Sequence, residues 1–208
     1  CNFGINDADY TLIRYEEQKT SEGKRYKKLL WKCPFYSKWT QMITRCYSEK
    51  ALSRRPTYTN CKVCEDWKLF SNFRAWMEKQ DWEGKELDKD LLGNGRLYSP
   101  DNCCFISQKL NSFLKSYGKI NKTGYRGVSF DKTCNKYIAQ ISNPFHPGKE
   151  YLGHFNTAED AGNAWLKRKL ELLRVLANKE NDPRVVEKCE MMLLNFNAIL
   201  MKELEERL

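Results

Sequence analysis

The chain has 208 residues, and 36 Lys and Arg against 27 Asp and Glu give it a formal net charge of +9. Aromatic residues make up 13% of the chain, and this content of core-forming side chains argues against full disorder. No stretch approaches the roughly 20 apolar residues that a membrane helix needs, and no apolar segment typical of a secretory signal opens the sequence. The composition therefore favours one or two globular domains with an acidic partner, of which nucleic acid is the commonest.

The first half of the chain predicts a mixture of helices and extended segments. Apolar spacing indicates helices at 35–47 and 69–77 and extended segments at 86–92 and 98–106. The turn Gly93-Asn94-Gly95 separates the two extended segments. Ser107 has the position of an N-cap for a short helix that carries Asn111.

The second half predicts a small sheet with helices. Residues 115–124 combine glycines and lysines with few apolar groups, which is typical of a linker. Three extended runs follow at 125–131, 136–142 and 149–155, separated by turn formers. Thr157 then begins a helix in the manner of a capping box, and Asp182-Pro183 begins a last helix. The predicted fold class is α+β.

Positive charge is concentrated around this sheet. Residues 109–155 contain eight basic and two acidic side chains. One face of the sheet must cover the helix, and the other face would carry Arg126, Lys136 and Lys149 with Gln140 and Tyr151. A twisted sheet can lie in the DNA major groove, where Arg, Lys and Gln read base edges. An ordinary solvated sheet face is the alternative interpretation.

The residues of the sheet also resemble a known DNA reader. Tyr125-Arg126-Gly127-Val128, the run Lys136-Tyr137-Ile138-Ala139-Gln140-Ile141 and the segment from Tyr151 to Ala161 resemble the APETALA2/ethylene-response-factor DNA-binding domain. The resemblance covers residues 123–170. It implies contacts with the major groove from Arg126, Ser129, Lys136, Gln140, Ser142, Lys149, Tyr151 and His154. Because Ser129 and Ser142 stand where arginines are usual, and Gln140 where Glu is usual, the family's base preference does not carry over.

Nine cysteines cannot all pair within the chain, and in a reducing compartment they are expected to be thiols or metal ligands. Cys61-Lys62-Val63-Cys64 is a C-x2-C pair, whose two thiolates can hold a tetrahedral zinc from one turn. Cys33, Cys46 and Cys103-Cys104 could supply the remaining ligands. The preferred set for a structural Zn²⁺ is Cys46, Cys61, Cys64 and Cys103. Buried free thiols are the alternative.

The segment around Leu87-Asp88-Lys89-Asp90, the turn after it and the helix with Asn111 follow the strand, loop, strand, helix order of a ββα-metal finger. Residues 35–115 resemble phage HNH-type endonucleases that carry an appended APETALA2-like domain. The resemblance implies a catalytic Mg²⁺ or Mn²⁺ bound by Asp88 and Asn111. Lys89 stands where such enzymes have a histidine base, and a lysine is a poor base at neutral pH. It would stabilise the phosphate charge or be a solvated surface residue.

The predicted organisation is an N-terminal extension (1–34), an HNH-like zinc-binding module (35–116), an APETALA2-like DNA-binding domain (123–176) and a C-terminal helix (182–208). The favoured function is binding of double-stranded DNA by a phage or mobile-element protein in the cytoplasm of a bacterial host, with metal-dependent endonuclease activity. Two alternatives remain: an inactive, nuclease-derived DNA-binding protein, and a phage factor that binds a host defence protein. The Met191–Leu194 cluster of the last helix would pack on the preceding helix, or serve homodimerisation or partner docking.

Overall fold

The computed structural model of the chain describes residues 3–115 and 122–205, with side chains described as far as Asn195. The chain divides into two compact units. Unit 1 comprises Cys1–Glu83 and Leu87–Phe105, and unit 2 comprises Gly84–Glu86 and Ile106–Leu208. The division precedes the predicted linker at 115–124, of which residues 116–121 lie outside the described residues.

The secondary structure confirms an α+β chain. The predicted helices at 35–47 and 69–77 are confirmed, whereas the hairpin in the N-terminal extension and the helix α2 were not predicted. The helices and strands of unit 1 are β1 (Ile13–Lys19), β2 (Arg25–Lys32), α1 (Pro34–Tyr47), α2 (Glu49–Arg54), β3 (Lys62–Val63), α3 (Phe70–Met77) and β5 (Leu97–Tyr98). The division between the units falls within β4 (Glu86–Asp88) and β6 (Cys104–Ile106). β1 and β2 pair antiparallel, and β3 and β5 pair parallel.

The core of unit 1 is rich in aromatic rings. α1 begins with Pro34 at its first turn, a favoured place for proline, and buries Trp39 and Met42 on one face. α3 buries Phe73 and Met77. The indole Nε1 of Trp39 donates to the Trp67 carbonyl at 2.7 Å, so this buried polar group is satisfied. Burying each of these side chains stabilises the fold by about 1.5–3 kcal/mol.

Unit 2 contains the predicted three-stranded sheet. Its strands and helices are α4 (Gln108–Lys115), β7 (Val128–Asp131), β8 (Lys136–Ser142), β9 (Lys149–Phe155), α5 (Ala158–Ala177) and α6 (Pro183–Glu205). The strands pair antiparallel in the order β7-β8-β9. The Thr157 side chain accepts from the Asp160 amide at 3.1 Å and caps α5, as predicted. The Ser107 hydroxyl accepts from the Leu110 amide at 3.2 Å and caps α4, also as predicted.

α5 packs on one face of this sheet. Val128, Ala139 and Ala161 form the centre of the contact. α6 packs against α5 and buries Cys189 and Leu193. The later residues of the predicted apolar face, from Phe196 onward, have side chains outside the described residues. Among the described helices, none has both the length and the apolar content that crossing a membrane requires.

Candidate nucleic-acid interface

The sheet face opposite α5 gathers most of the predicted DNA-facing residues. Directly opposed residues of an antiparallel sheet share a face. The opposed pairs on this face are Asp131 with Lys136, Ser129 with Ile138, Ile138 with His154, Gln140 with Tyr151, and Ser142 with Lys149. Ala139 and Ile141 alternate with these residues along β8 and are buried. We call the surface formed by these pairs the open face, and it includes every predicted DNA-facing residue except Arg126.

The open face is polar and carries more positive than negative charge. Lys136 and Lys149 are exposed, and the Tyr151 side chain is 53% exposed. Asp131 is the acidic member of the pairs described above. Glu150, next to Lys149, lies on the other face, where the Arg168 guanidinium of α5 binds it at 2.8 Å. This ion pair, led by the Arg168 hydrogen bond, holds the pKa of Glu150 below its ordinary value.

Arg126 lies just before β7 and is half-buried. The following residue, Gly127, has φ of 66°, and a Cβ there would collide with the Trp165 indole and come within 2.5 Å of the Gln140 carbonyl oxygen. Only glycine fits such a position. The backbone amide of Gln140 donates to the Gly127 carbonyl at 2.8 Å. The backbone beside Arg126 is therefore fixed between β8 and the indole of α5.

A cavity of about 310 Å³ is lined by the sheet and α5. Its polar lining residues are Arg126, Ser129, Gln140, Ser142, Lys149 and Lys169. Lys169 is 5% exposed and donates to the Phe113 carbonyl at 2.6 Å. Burial, followed by the charge of Arg126, lowers the pKa of Lys169 to about 8. Three cationic side chains around one cavity suit an anion such as a phosphate group.

The β7-β8 turn brings Asp131 and Cys134 to His154 of β9. One side-chain ligand atom of each residue lies within 4.8 Å of the other two. His154 Nε2 lies 3.4 Å from Asp131 Oδ2, and His154 Nδ1 is hydrogen-bonded to the Tyr151 hydroxyl. Hydrogen bonds from the Thr133 amide and the Cys134 thiol hold the pKa of Asp131 below its ordinary value. Within the described part of the chain, this is the one group of three or more such residues that could hold a metal ion.

The predicted catalytic residues Asp88 and Lys89 are both buried, at 5% and 6% exposure. Asp88 Oδ1 accepts from the amides of Asp90 at 2.9 Å and Leu91 at 2.8 Å, so it caps the turn that follows β4. Lys89 Nζ donates to Asp90 Oδ1 and to the Gly95 carbonyl, both at 2.6 Å. Lys89 is therefore not a solvated surface lysine.

The environment of Lys89 keeps it protonated. Burial alone would lower its pKa, but the hydrogen bond and charge of Asp90 outweigh burial and raise the pKa above its ordinary value. The ammonium also lies 5.1 Å from the ring centroid of Tyr58 and 5.7 Å from that of Tyr98. A lysine held in this charged state is unsuited to take a proton from an attacking water.

Asn111, the predicted metal ligand on α4, belongs to unit 2 and is 3% exposed. Its Nδ2 donates to the Glu86 carboxylate. Its Oδ1 is the one buried side-chain polar atom, among the residues described, that has no hydrogen-bond partner. An unsatisfied buried acceptor costs about 1–3 kcal/mol. A divalent cation that takes oxygen ligands could bind this Oδ1 atom. The second predicted ligand, Asp88, belongs to unit 1.

The four cysteines predicted to bind zinc all contribute to the core of unit 1. Cys46, Cys61 and Cys103 are buried there, and Cys64 is partly buried against them. Burial is the main cause that raises the pKa of both Cys46 and Cys103 to about 12. No three of these cysteines, all of them described, bring their ligand atoms within 4.8 Å of one another. The zinc site stays a prediction.

Sequence reasoning missed Glu86 beside Asn111 and the grouping of Asp131 and Cys134 with His154. The signal for one part of the grouping was present, because Asp131 and Cys134 lie in the same predicted turn between paired strands. No protein-family model matches this chain, and neither a curated protein nor a solved structure matches it.

Proposed function

We propose that this protein binds double-stranded DNA with the open face of the β7-β8-β9 sheet. The observation that carries the proposal is that seven of the eight residues expected to face DNA share one exposed face, while α5 covers the other. Lysine, glutamine and serine side chains on such a face can contact phosphates and base edges. Arg126 and Lys149 at the cationic cavity supply the phosphate contacts in this interpretation.

The phage or mobile-element origin and a bacterial host cytoplasm belong to the same proposal, since they come from the family resemblance. The open face favours the DNA-binding alternatives over the proposed binding of a host defence protein, because its chemistry is polar and cationic. Among the side chains of α6 that are described, Met191 and Leu194 are 51% and 68% exposed, and a host protein or homodimer contact through α6 would use them.

Metal-dependent cleavage of the DNA backbone is the second candidate function. The unpartnered Oδ1 of Asn111 favours it, because a buried amide oxygen beside the Glu86 carboxylate suits Mg²⁺ or Mn²⁺. Such an ion would act as a Lewis acid on the phosphate and activate a water. Lys89 has no place in that chemistry as a base, since its ammonium is buried and bound to Asp90. Asn111, with Glu86 beside it in unit 2, is the residue proposed for the activity. Asp88 of unit 1 stays a prediction from the resemblance.

DNA binding is tested by fluorescence anisotropy of a labelled duplex with the full chain over a series of salt concentrations. Arg126→Ala and Lys149→Ala are each expected to weaken binding and to reduce the slope of log affinity against log salt by about 0.9. Lys167→Ala is the matched control, because Lys167 is an exposed cation on α5 away from the open face. Equal effects in all three variants would contradict the assignment of the open face.

Cleavage is tested by incubating supercoiled plasmid with the protein and Mg²⁺ or Mn²⁺. Nicking that is lost in Asn111→Ala and in Asp88→Asn, with duplex binding retained, is the result expected of an endonuclease. Gln108→Ala is the control, since Gln108 is an exposed residue of the same helix as Asn111. Binding without nicking under every metal condition would leave the inactive DNA-binding protein as the function.

A further inference from the structure

Unit 1 carries a concave surface formed by α1, α2 and the end of β2. The cavity measures about 610 Å³, and every charged residue that lines it is basic. These residues are Lys32, Arg45, Lys50, Arg54 and Arg55. Threonine, serine and glutamine side chains complete the polar lining, so the surface also offers neutral hydrogen-bond donors. We call this surface the basic groove.

The strand that ends at the basic groove belongs to an exposed hairpin. Nearly every residue of β1 and β2 is exposed, on both faces of the pair. Tyr15, Leu29 and Trp31 are 54%, 52% and 40% exposed. A two-stranded hairpin without packing is at best marginally stable in water. Large apolar side chains on both faces indicate a surface that a partner covers.

Charge selects the class of partner. Residues 13–32 contain seven Lys and Arg and three Glu. Glu16 and Glu17 face Lys28 and Lys27 across the hairpin, so lysines of the hairpin itself balance these two negative charges. The basic groove at its base adds cations with no acidic residue in the lining. A nucleic-acid backbone has the complementary charge, and the DNA major groove is wide enough for a two-stranded ribbon.

We propose that the hairpin and the basic groove of unit 1 form a second DNA-binding surface, distinct from the open face of unit 2. The arginines of the groove bind backbone phosphates, for which the guanidinium fork is suited. The hairpin enters a groove of the duplex with its tyrosine, leucine and lysine side chains. The proposal rests on the proposed function in one respect, since it takes duplex DNA as the polyanion.

The test measures duplex affinity and its salt dependence for three triple variants of the full chain. One removes the groove charges (Lys50→Ala, Arg54→Ala and Arg55→Ala), and one removes the hairpin charges (Arg25→Ala, Lys27→Ala and Lys28→Ala). The control removes three exposed cations elsewhere in unit 1 (Lys62→Ala, Lys79→Ala and Arg96→Ala). All nine side chains are exposed, so the fold is expected to survive.

Each of the first two variants is expected to lower the salt slope by up to about three units, because about 0.9 unit is lost per phosphate contact. The control is expected to keep the slope of the unmodified protein. If the groove and hairpin variants match the control, the second surface is overturned. If Arg126→Ala still weakens binding in that case, the open face stands, so the two proposals fail separately. If the groove and hairpin variants keep their affinity for DNA but lose binding to an acidic protein, the proposal is also overturned.

Asp131, Cys134 and His154 at the open face form a group that is independent of the hairpin and the basic groove. Asn135, next to Cys134 in the β7-β8 turn, has φ of 53°, a left-handed conformation typical of tight turns. Cys134 and His154 are exposed, so an ion reaches the group without a change in fold. The hydrogen bond between His154 Nδ1 and the Tyr151 hydroxyl fixes the imidazole ring. When the proton is on Nδ1, the Nε2 lone pair is left for an ion.

We infer that this group binds a divalent transition-metal ion such as Zn²⁺. Thiolate, imidazole and carboxylate ligands together favour this class of ion over Mg²⁺ or Ca²⁺, which prefer oxygen alone. Three protein ligands leave a fourth position of a tetrahedral ion for water. Binding needs no DNA, so this inference stands apart from the proposed function.

The test titrates Co²⁺ into the reduced full chain and follows the thiolate-to-cobalt charge-transfer band and the visible bands of tetrahedral cobalt. Both are expected to be lost in Cys134→Ser and strongly reduced in His154→Gln. Lys132→Ala is the control, because Lys132 is an exposed residue of the same turn and is not one of the three ligands, and it should keep the bands. Tyr151→Phe is expected to weaken Co²⁺ binding about 10-fold or more, as loss of a group that orients a ligand does. Bands that keep their full intensity in Cys134→Ser, or no bands in the unmodified protein, would overturn the site.

Discussion

Each unit buries a lysine, and the pKa values of the two lysines shift in opposite directions. Lys89 of unit 1 is 6% exposed, and Lys169 of unit 2 is 5% exposed. Lys89 has a carboxylate partner, Asp90, at 2.6 Å, and its pKa is raised. Lys169 donates to the Phe113 carbonyl and lies 3.5 Å from the ring centroid of that residue. The pKa of Lys169 falls to about 8 through burial and the like charge of Arg126.

Burial does not by itself decide the charge of a lysine. Burial disfavours the ammonium in both places, and an opposite charge can outweigh it where a carbonyl and a ring cannot. Lys89 is therefore a fixed structural cation in unit 1. Lys169 is a cation held at a free-energy cost, beside the cavity that also presents Arg126 and Lys149.

The largest expected effect on the free energy of unfolding is at Lys169. Its folded pKa of about 8 lies below the ordinary 10.5, so the unfolded chain binds more protons between these pH values. Stability must then rise as pH increases from 8 to 10.5, by up to about 3 kcal/mol for this group. Lys169→Met is expected to be more stable than the unmodified protein at neutral pH and to lack this rise. Urea unfolding followed by circular dichroism measures both, and parallel pH profiles of the two proteins would contradict the prediction.

A smaller effect of opposite sign is expected at Lys89. Its folded pKa is raised, so its contribution is fully present below the ordinary pKa of 10.5 and is lost as pH rises through the folded value. Lys89→Met removes the hydrogen bond to the Gly95 carbonyl and is expected to destabilise the protein by about 2 kcal/mol at neutral pH. Lys62→Met is the matched control, since Lys62 is exposed. The two variants are compared by their midpoints of urea unfolding. An equal shift in both would show that Lys89 stabilises the fold no more than an exposed lysine does.

The smallest effect is expected for Asp90→Asn. The Asp90 side chain is 53% exposed, so solvent screens the ion pair, and a loss of about 0.5 kcal/mol is expected at neutral pH. The variant should nevertheless lower the pKa of Lys89, which makes it resemble Lys169. Asp101→Asn, at an exposed position, controls for the charge change. An NMR titration of the lysine ammonium signals measures the change in the pKa of Lys89. An unchanged titration of Lys89 would show that Asp90 does not raise this pKa.

The elements that sequence could predict are those with local signals. Thr157 and Asp182-Pro183 begin α5 and α6 as predicted, because caps and prolines act within one turn. The three strands of unit 2 lie between clear turn formers. On β8 the open-face residues follow from alternation, which depends on period alone. Tyr151 and His154 of β9 share that face because the strand register shifts between Ala139 and Gln140.

The features that sequence could not predict depend on contacts distant along the chain. The hairpin of β1 and β2 has no apolar alternation, because both of its faces are exposed. Lys89 lies between two aspartates and has the pattern of a solvated residue, whereas the Gly95 carbonyl and two tyrosine rings enclose it. Cys134 and His154 are brought together by strand register, which the sequence alone does not define.

The contact between Gly127 and the indole of Trp165 has a practical consequence for spectroscopy. Trp165 is the single tryptophan of unit 2, since the other five, Trp31, Trp39, Trp67, Trp76 and Trp82, belong to unit 1. A chain labelled with fluorotryptophan would therefore give one ¹⁹F resonance from unit 2, located against the backbone next to Arg126. That resonance would report whatever occupies the neighbouring cavity, while the remaining five report on the aromatic core and the hairpin of unit 1.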